Sequence, residues 1–155
     1  MKKYLILLLS ISLILCNPNS ASAASSTRNI VVETFEDGSY IETVIEEIET
    51  ASSYATTYTK SGKKTSTYKN SSGDTLWSVS VTGTFTYDGS SATCTKSTVS
   101  TTSYNSNWKI SSSSASKSGA TATATATAKK YLDGTYIKSI TETVTLTCSK
   151  SGTLS

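Results

Sequence analysis

The chain has 155 residues, with Lys+Arg 14 against Asp+Glu 11, 36% hydrophobic and 16% charged residues, three Cys, one Pro and no His. That length bounds it to one domain with at most a small appendage. The missing histidine excludes His-based triads, His-ligated metal sites and His proton relays.

Residues 1–24 read as a signal peptide. Lys2 and Lys3 form a positive start, Tyr4 to Cys16 an apolar run, and Ala21-Ser22-Ala23-Ala24 a small-residue cleavage site. The run is too short to span a bilayer, and no second one follows. The rival reading is a lipidation signal at Leu13-Ile14-Leu15-Cys16, but it calls for a small residue where Leu15 stands. The expected product is secreted, with no transmembrane segment.

The composition changes once this segment is subtracted. Residues 25–155 hold 27 Ser and 28 Thr among 131, and Ile, Val, Leu and Phe number only 20. So few large aliphatics would suit disorder. Eight Tyr, two Trp and a net charge of only +1 in the same span speak against it. Thr and Tyr favour strands, and Ser favours turns and exposed strand faces. The expectation is an all-β domain with a thin core, either an antiparallel hairpin meander or a two-sheet sandwich.

Residues 25–50 carry net charge −6, and residues 51–155 carry +7. The first segment reads as an acidic hairpin beside a basic body, or as a removable pro-segment masking it. Within it, Tyr40 to Glu49 fits a strand better than a short helix. Phe35-Glu36-Asp37-Gly38-Ser39-Tyr40-Ile41 is echoed by Tyr131-Leu132-Asp133-Gly134-Thr135-Tyr136-Ile137. The echo suits either a duplicated hairpin or shared turn chemistry.

Turns are expected at Asp37-Gly38, Ser61-Gly62, Asn70 to Asp74, Asp88-Gly89 and Asp133-Gly134. From Thr75 to Tyr87, Trp77, Val79, Val81, Gly83, Phe85 and Tyr87 alternate with Ser and Thr, predicting a strand with one buried face. A two-residue turn at Asp88-Gly89 would set Phe85 opposite Ala92 and Gly83 opposite Cys94. Residues 120–128 alternate Ala and Thr, and the return strand carries Ile140, Val144, Leu146 and Cys148 on even positions. A three-residue loop at Leu132-Asp133-Gly134 would place Ala122 opposite Val144 and Ala120 opposite Leu146. The alanine stripe reads as a strip on which another sheet, or a bulky side chain, sits closely.

Loss of Cys16 with the signal peptide leaves Cys94 and Cys148, expected as one disulfide in an oxidising compartment. Closing such a loop would stabilise the fold by roughly 4 kcal/mol.

Catalytic chemistry is sparse. Glu33, Glu36, Glu42, Glu46, Glu47 and Glu49 could supply a carboxylate pair for a small glycan hydrolase, but a solvated face explains them as well. No phosphate loop, serine elbow or metal-ligand spacing is present, and no cofactor is expected. Lys60, Lys63, Lys64 and Lys69 with Tyr58 and Tyr68 come nearest to a nucleic-acid patch. Lysines that guard an exposed strand edge account for them better, so no nucleic-acid partner is expected. Tyr54, Tyr58, Tyr68, Tyr104 and Trp108 are candidates for stacking a sugar.

Cys94, Trp108 and Cys148, in that order, are similar to the pattern of immunoglobulin-type sandwiches, which implies at best a similar architecture. Leu146 stands where that family has Tyr. The stretches Thr75 to Phe85 and Thr143 to Cys148 resemble small secreted, uncharacterised proteins of Gram-positive bacteria, which implies export only. The expected role is a secreted, non-catalytic binding or cell-surface interaction module for cell-wall glycan or another surface protein. The alternatives are a toxin or antimicrobial masked by residues 25–50, and the small hydrolase.

Overall fold

The computed structural model describes residues 27–48 and 56–155. The expected signal peptide, Glu49 and the candidate Tyr54 lie outside them. The described residues form eight strands: β1 (Thr27–Thr34), β2 (Tyr40–Ile48), β3 (Tyr58–Lys69), β4 (Thr75–Tyr87), β5 (Ala92–Ser103), β6 (Trp108–Ser118), β7 (Thr121–Leu132) and β8 (Thr135–Thr147). A five-stranded sheet, β1-β2-β3-β4-β5, packs on a three-stranded sheet, β6-β7-β8, and every pairing is antiparallel. The fold is therefore all-β, in two layers.

Within each sheet, chain neighbours are sheet neighbours. This corrects the immunoglobulin expectation, whose Greek-key order needs strands far apart in sequence to pair. Five of the six connections within the sheets have only two to five residues, which favours pairing of consecutive strands.

The inner face of β4 supplies Trp77, Val79, Val81 and Phe85, all at most 1% exposed. On the facing sheet, Ala122, Ala124, Ala126 and Ala128 are likewise closed off, flanked by Val144 and Leu146. The alanine stripe is thus where the large sheet sits down. Small side chains on β7 let the β4 aromatics approach. Ser78 and Ser80 are also buried, although they face outward. These short side chains on a central strand are shaded by Thr67 and Thr65 on β3 and by Thr102 and Ser100 on β5.

Two hairpin registers differ from the simple turn arithmetic. Phe85 lies opposite Cys94 and Gly83 opposite Ser97, because the loop spans Asp88 to Ser91 and Thr95 is an extra residue in β5. Ala122 faces Leu146, and Ala124 faces Val144. The turn there has two residues, Asp133 (φ 48) and Gly134 (φ 80), and the register shift comes from a bulge at Ile137 instead of a third loop residue. The sequence echo does not give two equal turns, since Thr34 pairs with Tyr40 across a five-residue loop.

The expected disulfide is absent: Cys94 and Cys148 are both free and buried. Each thiol turns to a main-chain carbonyl of its own segment, Cys94 Sγ to Lys96 O at 3.2 Å and Cys148 Sγ to Ser149 O at 3.4 Å. Their amides flank one turn, Cys94 N donating to Gly119 O and Cys148 N to Ala120 O.

β2 is an integral strand of the large sheet. Ile41 and Ile45 enter the core, and Glu42, Glu46 and Glu47 pair with Lys69, Lys63 and Lys60 of β3. Partly exposed pairs of this kind contribute about 0–1 kcal/mol each, so they favour register more than stability.

Candidate binding cleft between β3 and β8

The two sheets are closed together along the side where β5 meets β6. On the closed side β5 leads into β6, and Ser103 Oγ donates to Trp108 O at 2.7 Å while Ser97 Oγ reaches Thr123 O at 3.3 Å. On the other side β8 lies over β3 and β4, and Ile41, Thr43 and Ile45 of β2 share the inner face beside them and are buried.

Between β8 and the inner face of the large sheet is a cleft of about 190 Å³ lined by Thr43, Lys64, Ser66, Glu142, Thr143, Val144 and Thr145. Register explains how charges come to be there. Tyr68, Ser66, Lys64 and Gly62 pair with Trp77, Val79, Val81 and Gly83, so they share the inner face of the large sheet. Glu142 lies between Ile140 and Val144 on the inward stripe of β8, opposite Ala126. Leu146 lies near Gly62, and Ser66 and Glu142 line the same cleft. β8 thus runs antiparallel above β3 and sets Val144 over Lys64.

A pair of hydroxyls lines the floor: Thr43 Oγ1 and Ser66 Oγ are 3.2 Å apart. Burial pushes the Glu142 carboxyl above its ordinary range; the Ser66 hydroxyl counters this, and the Glu33 charge adds to it. Burial likewise pulls the Lys64 ammonium down, with no carboxylate holding it up. Among the described residues neither group forms a salt bridge. Two opposite, half-buried, unpaired charges in one cleft mark it as a candidate site.

The aromatic candidates do not converge. Tyr68 and Trp108 are each 3% exposed and belong to the core with Trp77, with Tyr68 and Trp108 edge-on at 5.4 Å. A domain short of Leu fills its centre with rings, so these two offer no face to a ligand. Tyr58 is half-exposed and stacked on Tyr87 at 5.4 Å, at the far end of β4 from Tyr104. The ten residue steps from Trp77 to Tyr87 span about 33 Å of strand. The glutamates also disperse. Glu46 and Glu47, adjacent on β2, point to opposite faces and are each paired with a lysine. Three of the four clustered lysines are held in the same ion pairs.

Sequence reasoning missed Lys64 and Glu142 as a pair. The available signal was a charge interrupting an otherwise apolar inward stripe, at Glu142 among Ile140, Val144 and Leu146. It also missed the exposed tip formed by Leu132, Tyr136 and Ile137. Among the described residues no group of three or more acidic, Cys or His side chains is placed to hold a metal ion. No protein-family model, curated protein or solved structure matches the chain.

Proposed function

We propose that the protein is an exported, non-catalytic binding module that engages a ligand at the cell surface through the cleft between β3 and β8. The observation that carries this reading is the half-buried, unpaired Lys64–Glu142 couple. Keeping two charges partly dry without pairing them costs stability, and a ligand that presents complementary groups recovers that cost. Export is supported by the Lys2-Lys3 start, the apolar run and the Ala21-Ser22-Ala23 site. The lack of converging carboxylates among Glu42, Glu46 and Glu47 favours binding over hydrolysis.

The test compares retention of the secreted wild-type protein and of a Lys64→Met/Glu142→Gln double variant on Gram-positive cell walls, with and without protease treatment of the walls. Loss of retention by about tenfold or more in the variant supports the reading. Equal retention of both proteins overturns it. The protease arm separates a protein ligand from a glycan.

A further inference from the structure

The molecule carries a second surface, apart from the cleft. We infer that the tip of the β7–β8 hairpin docks on an anionic lipid bilayer. Its apolar side chains enter among the headgroups, and a collar of lysines meets the phosphates.

Apolar exposure is concentrated at this tip. Among the described residues six large hydrophobic side chains are exposed, and three of them, Leu132, Tyr136 and Ile137, fall within six residues of chain. Asp133 (φ 48) and Gly134 (φ 80) close the turn, which sets Leu132 and Tyr136 beside the bend. The bulge leaves Ile137 with no residue opposite it. β6 begins at Trp108, opposite Lys130, so the hairpin runs on past the strand that flanks β7. Apolar residues scattered singly over a surface need no explanation, but a cluster marks a site of interaction.

Lysines follow directly behind the tip, on both faces of the hairpin. Lys109 lies opposite Lys129, and Lys130 opposite Lys138. Alternation puts the first pair on the outward face in line with Thr127, and the second on the inward side in line with Ala128 and Ile140. Like charges directly opposite one another disfavour a sheet, and here two such pairs stand in successive rows. Among the described residues Lys138 is paired with Asp37 at 3.5 Å, while Lys109, Lys129 and Lys130 form no salt bridge. Lys109 Nζ instead stands 5.3 Å from the centre of the Tyr131 ring. Asp133 is the one acid from Lys129 to Lys138, against three lysines. An anionic surface relieves this repulsion, and that complementarity selects the partner.

Spacing favours a bilayer over a soluble polyanion. Lys130 and Lys129 stand two and three residues behind Leu132, about 7–10 Å of strand. An interfacial element buries its apolar part about 5–10 Å into the boundary of headgroups and acyl chains, and lysine stems reach from there to the phosphates. Tyr131 and Tyr136, edge to face at 6.1 Å, lie between these two levels, where tyrosine is favoured. A soluble polyanion would engage the lysines and leave Leu132 and Ile137 without a role. Lysines on both faces suit a hairpin that enters tip first, not one that lies flat.

The test sediments the secreted protein with vesicles of phosphatidylcholine, alone or mixed with an equal part of phosphatidylglycerol. Binding to the mixed vesicles should be stronger by about tenfold or more. Leu132→Ser/Ile137→Ser and Lys129→Gln/Lys130→Gln should each weaken it about tenfold. Asp133→Asn, which suits the same turn, should strengthen it. Equal binding to the two vesicles, or to neither, overturns the inference. So does binding that persists without Leu132 and Ile137, the result expected of a soluble poly(glycerol phosphate) partner. A second measurement stands apart from the stability of these variants. An environment-sensitive dye is attached to Leu132→Cys or, as reference, to Ser114→Cys in the middle of β6; Cys94 and Cys148 are buried. On the mixed vesicles the dye at 132 should shift to the blue and the dye at 114 should not. No shift at 132, or an equal shift at both, overturns tip-first docking.

Discussion

Gly62 and Gly83 lie directly opposite one another on β3 and β4, and together they make a depression in the inner face of the large sheet. Leu154 of the C-terminal tail sits against Gly62, while the Phe85 ring and Ala122 close over Gly83. A Cβ on Gly62 would collide with Leu154 Cδ1 and crowd the Glu46 carbonyl. One on Gly83 would collide with the Phe85 ring. Glycine in a strand interior weakens it unless something approaches closely, and here something does at both positions.

Gly62→Ala and Gly83→Ala should therefore each destabilise the fold by about 1–3 kcal/mol, against the usual preference of a strand for Ala over Gly. Chemical denaturation of the two variants checks this. Leu154→Ala tests the other side of the same contact and should cost about 2–5 kcal/mol, as loss of a buried Leu does elsewhere. Gly62→Ala combined with Leu154→Ala should cost less than the sum of the two, because the added methyl enters the space the leucine leaves. Strict additivity would show that Leu154 does not rest on Gly62.

The Ala–Thr alternation of β7 gives a second contrast. Ala124 is fully buried against the large sheet, whereas its neighbour Thr125 is outward and shares a 3.0 Å hydroxyl contact with Thr143. Ala124→Val should cost about 1–3 kcal/mol by overpacking. Thr125→Val should stay within about 0.5 kcal/mol, as surface changes generally do. Equal effects would mean that the two faces of β7 are not distinguished as the register requires.

How much of this was legible follows from what each residue answers to. The strand Thr75–Tyr87 was readable because its odd positions are apolar and its even ones hydroxylated, and the same holds for the Ala–Thr strip. The partners of those strands were not, because the extra residues Thr95 and Ile137 are ordinary β-formers, and nothing local marks them as bulges. Tyr68 and Trp108 looked available because aromatics suit a binding face as well as a core. Only the shortage of Leu, weighed across the whole domain, decides between the two. The cleft was least legible. Lys64 and Glu142 lie 78 residues apart in sequence, and they meet only because β8 crosses β3 with Leu146 near Gly62.

Titration of Glu142 carries a sign that can be tested. Its folded-state carboxyl is raised by burial above the ordinary 4.5. The native state therefore binds the proton more tightly than the unfolded chain does. Stability from this group is present below the unfolded value and is lost as pH rises through the raised one. Glu142→Gln should accordingly raise the melting temperature at neutral pH and leave it nearly unchanged below pH 4. A melting temperature lowered at neutral pH would show that the charge is compensated.

Asp88 should show the opposite dependence. Hydrogen bonds from Ser90 and Ser91, the Ser90 hydroxyl foremost, hold its carboxyl down at about 2 against an ordinary 3.8. Its contribution is present above the unfolded value and is lost as pH falls toward 2. Asp88→Asn should flatten the acid limb of the stability curve and leave stability above pH 5 with little pH dependence from this site. An acid limb unchanged in the variant would remove the turn from that account.

The two thiols make the last prediction. Cys94 and Cys148 are free, and burial pushes both thiols above their ordinary value, so the thiolate that reacts is scarce and shielded. Native protein at pH 8 should take up iodoacetamide slowly at either position, and denatured protein lacking residues 1–24, whose cysteines are Cys94 and Cys148, should take up two equivalents rapidly without reductant. Cys94→Ser should leave Cys148 equally slow, since each thiol bonds to its own carbonyl and not to the other sulfur. Intact-mass measurement reads the result directly. A denatured chain that takes up no reagent until reduced would mean that the sulfurs turn away from Lys96 O and Ser149 O and bond to each other across the Gly119–Ala120 turn.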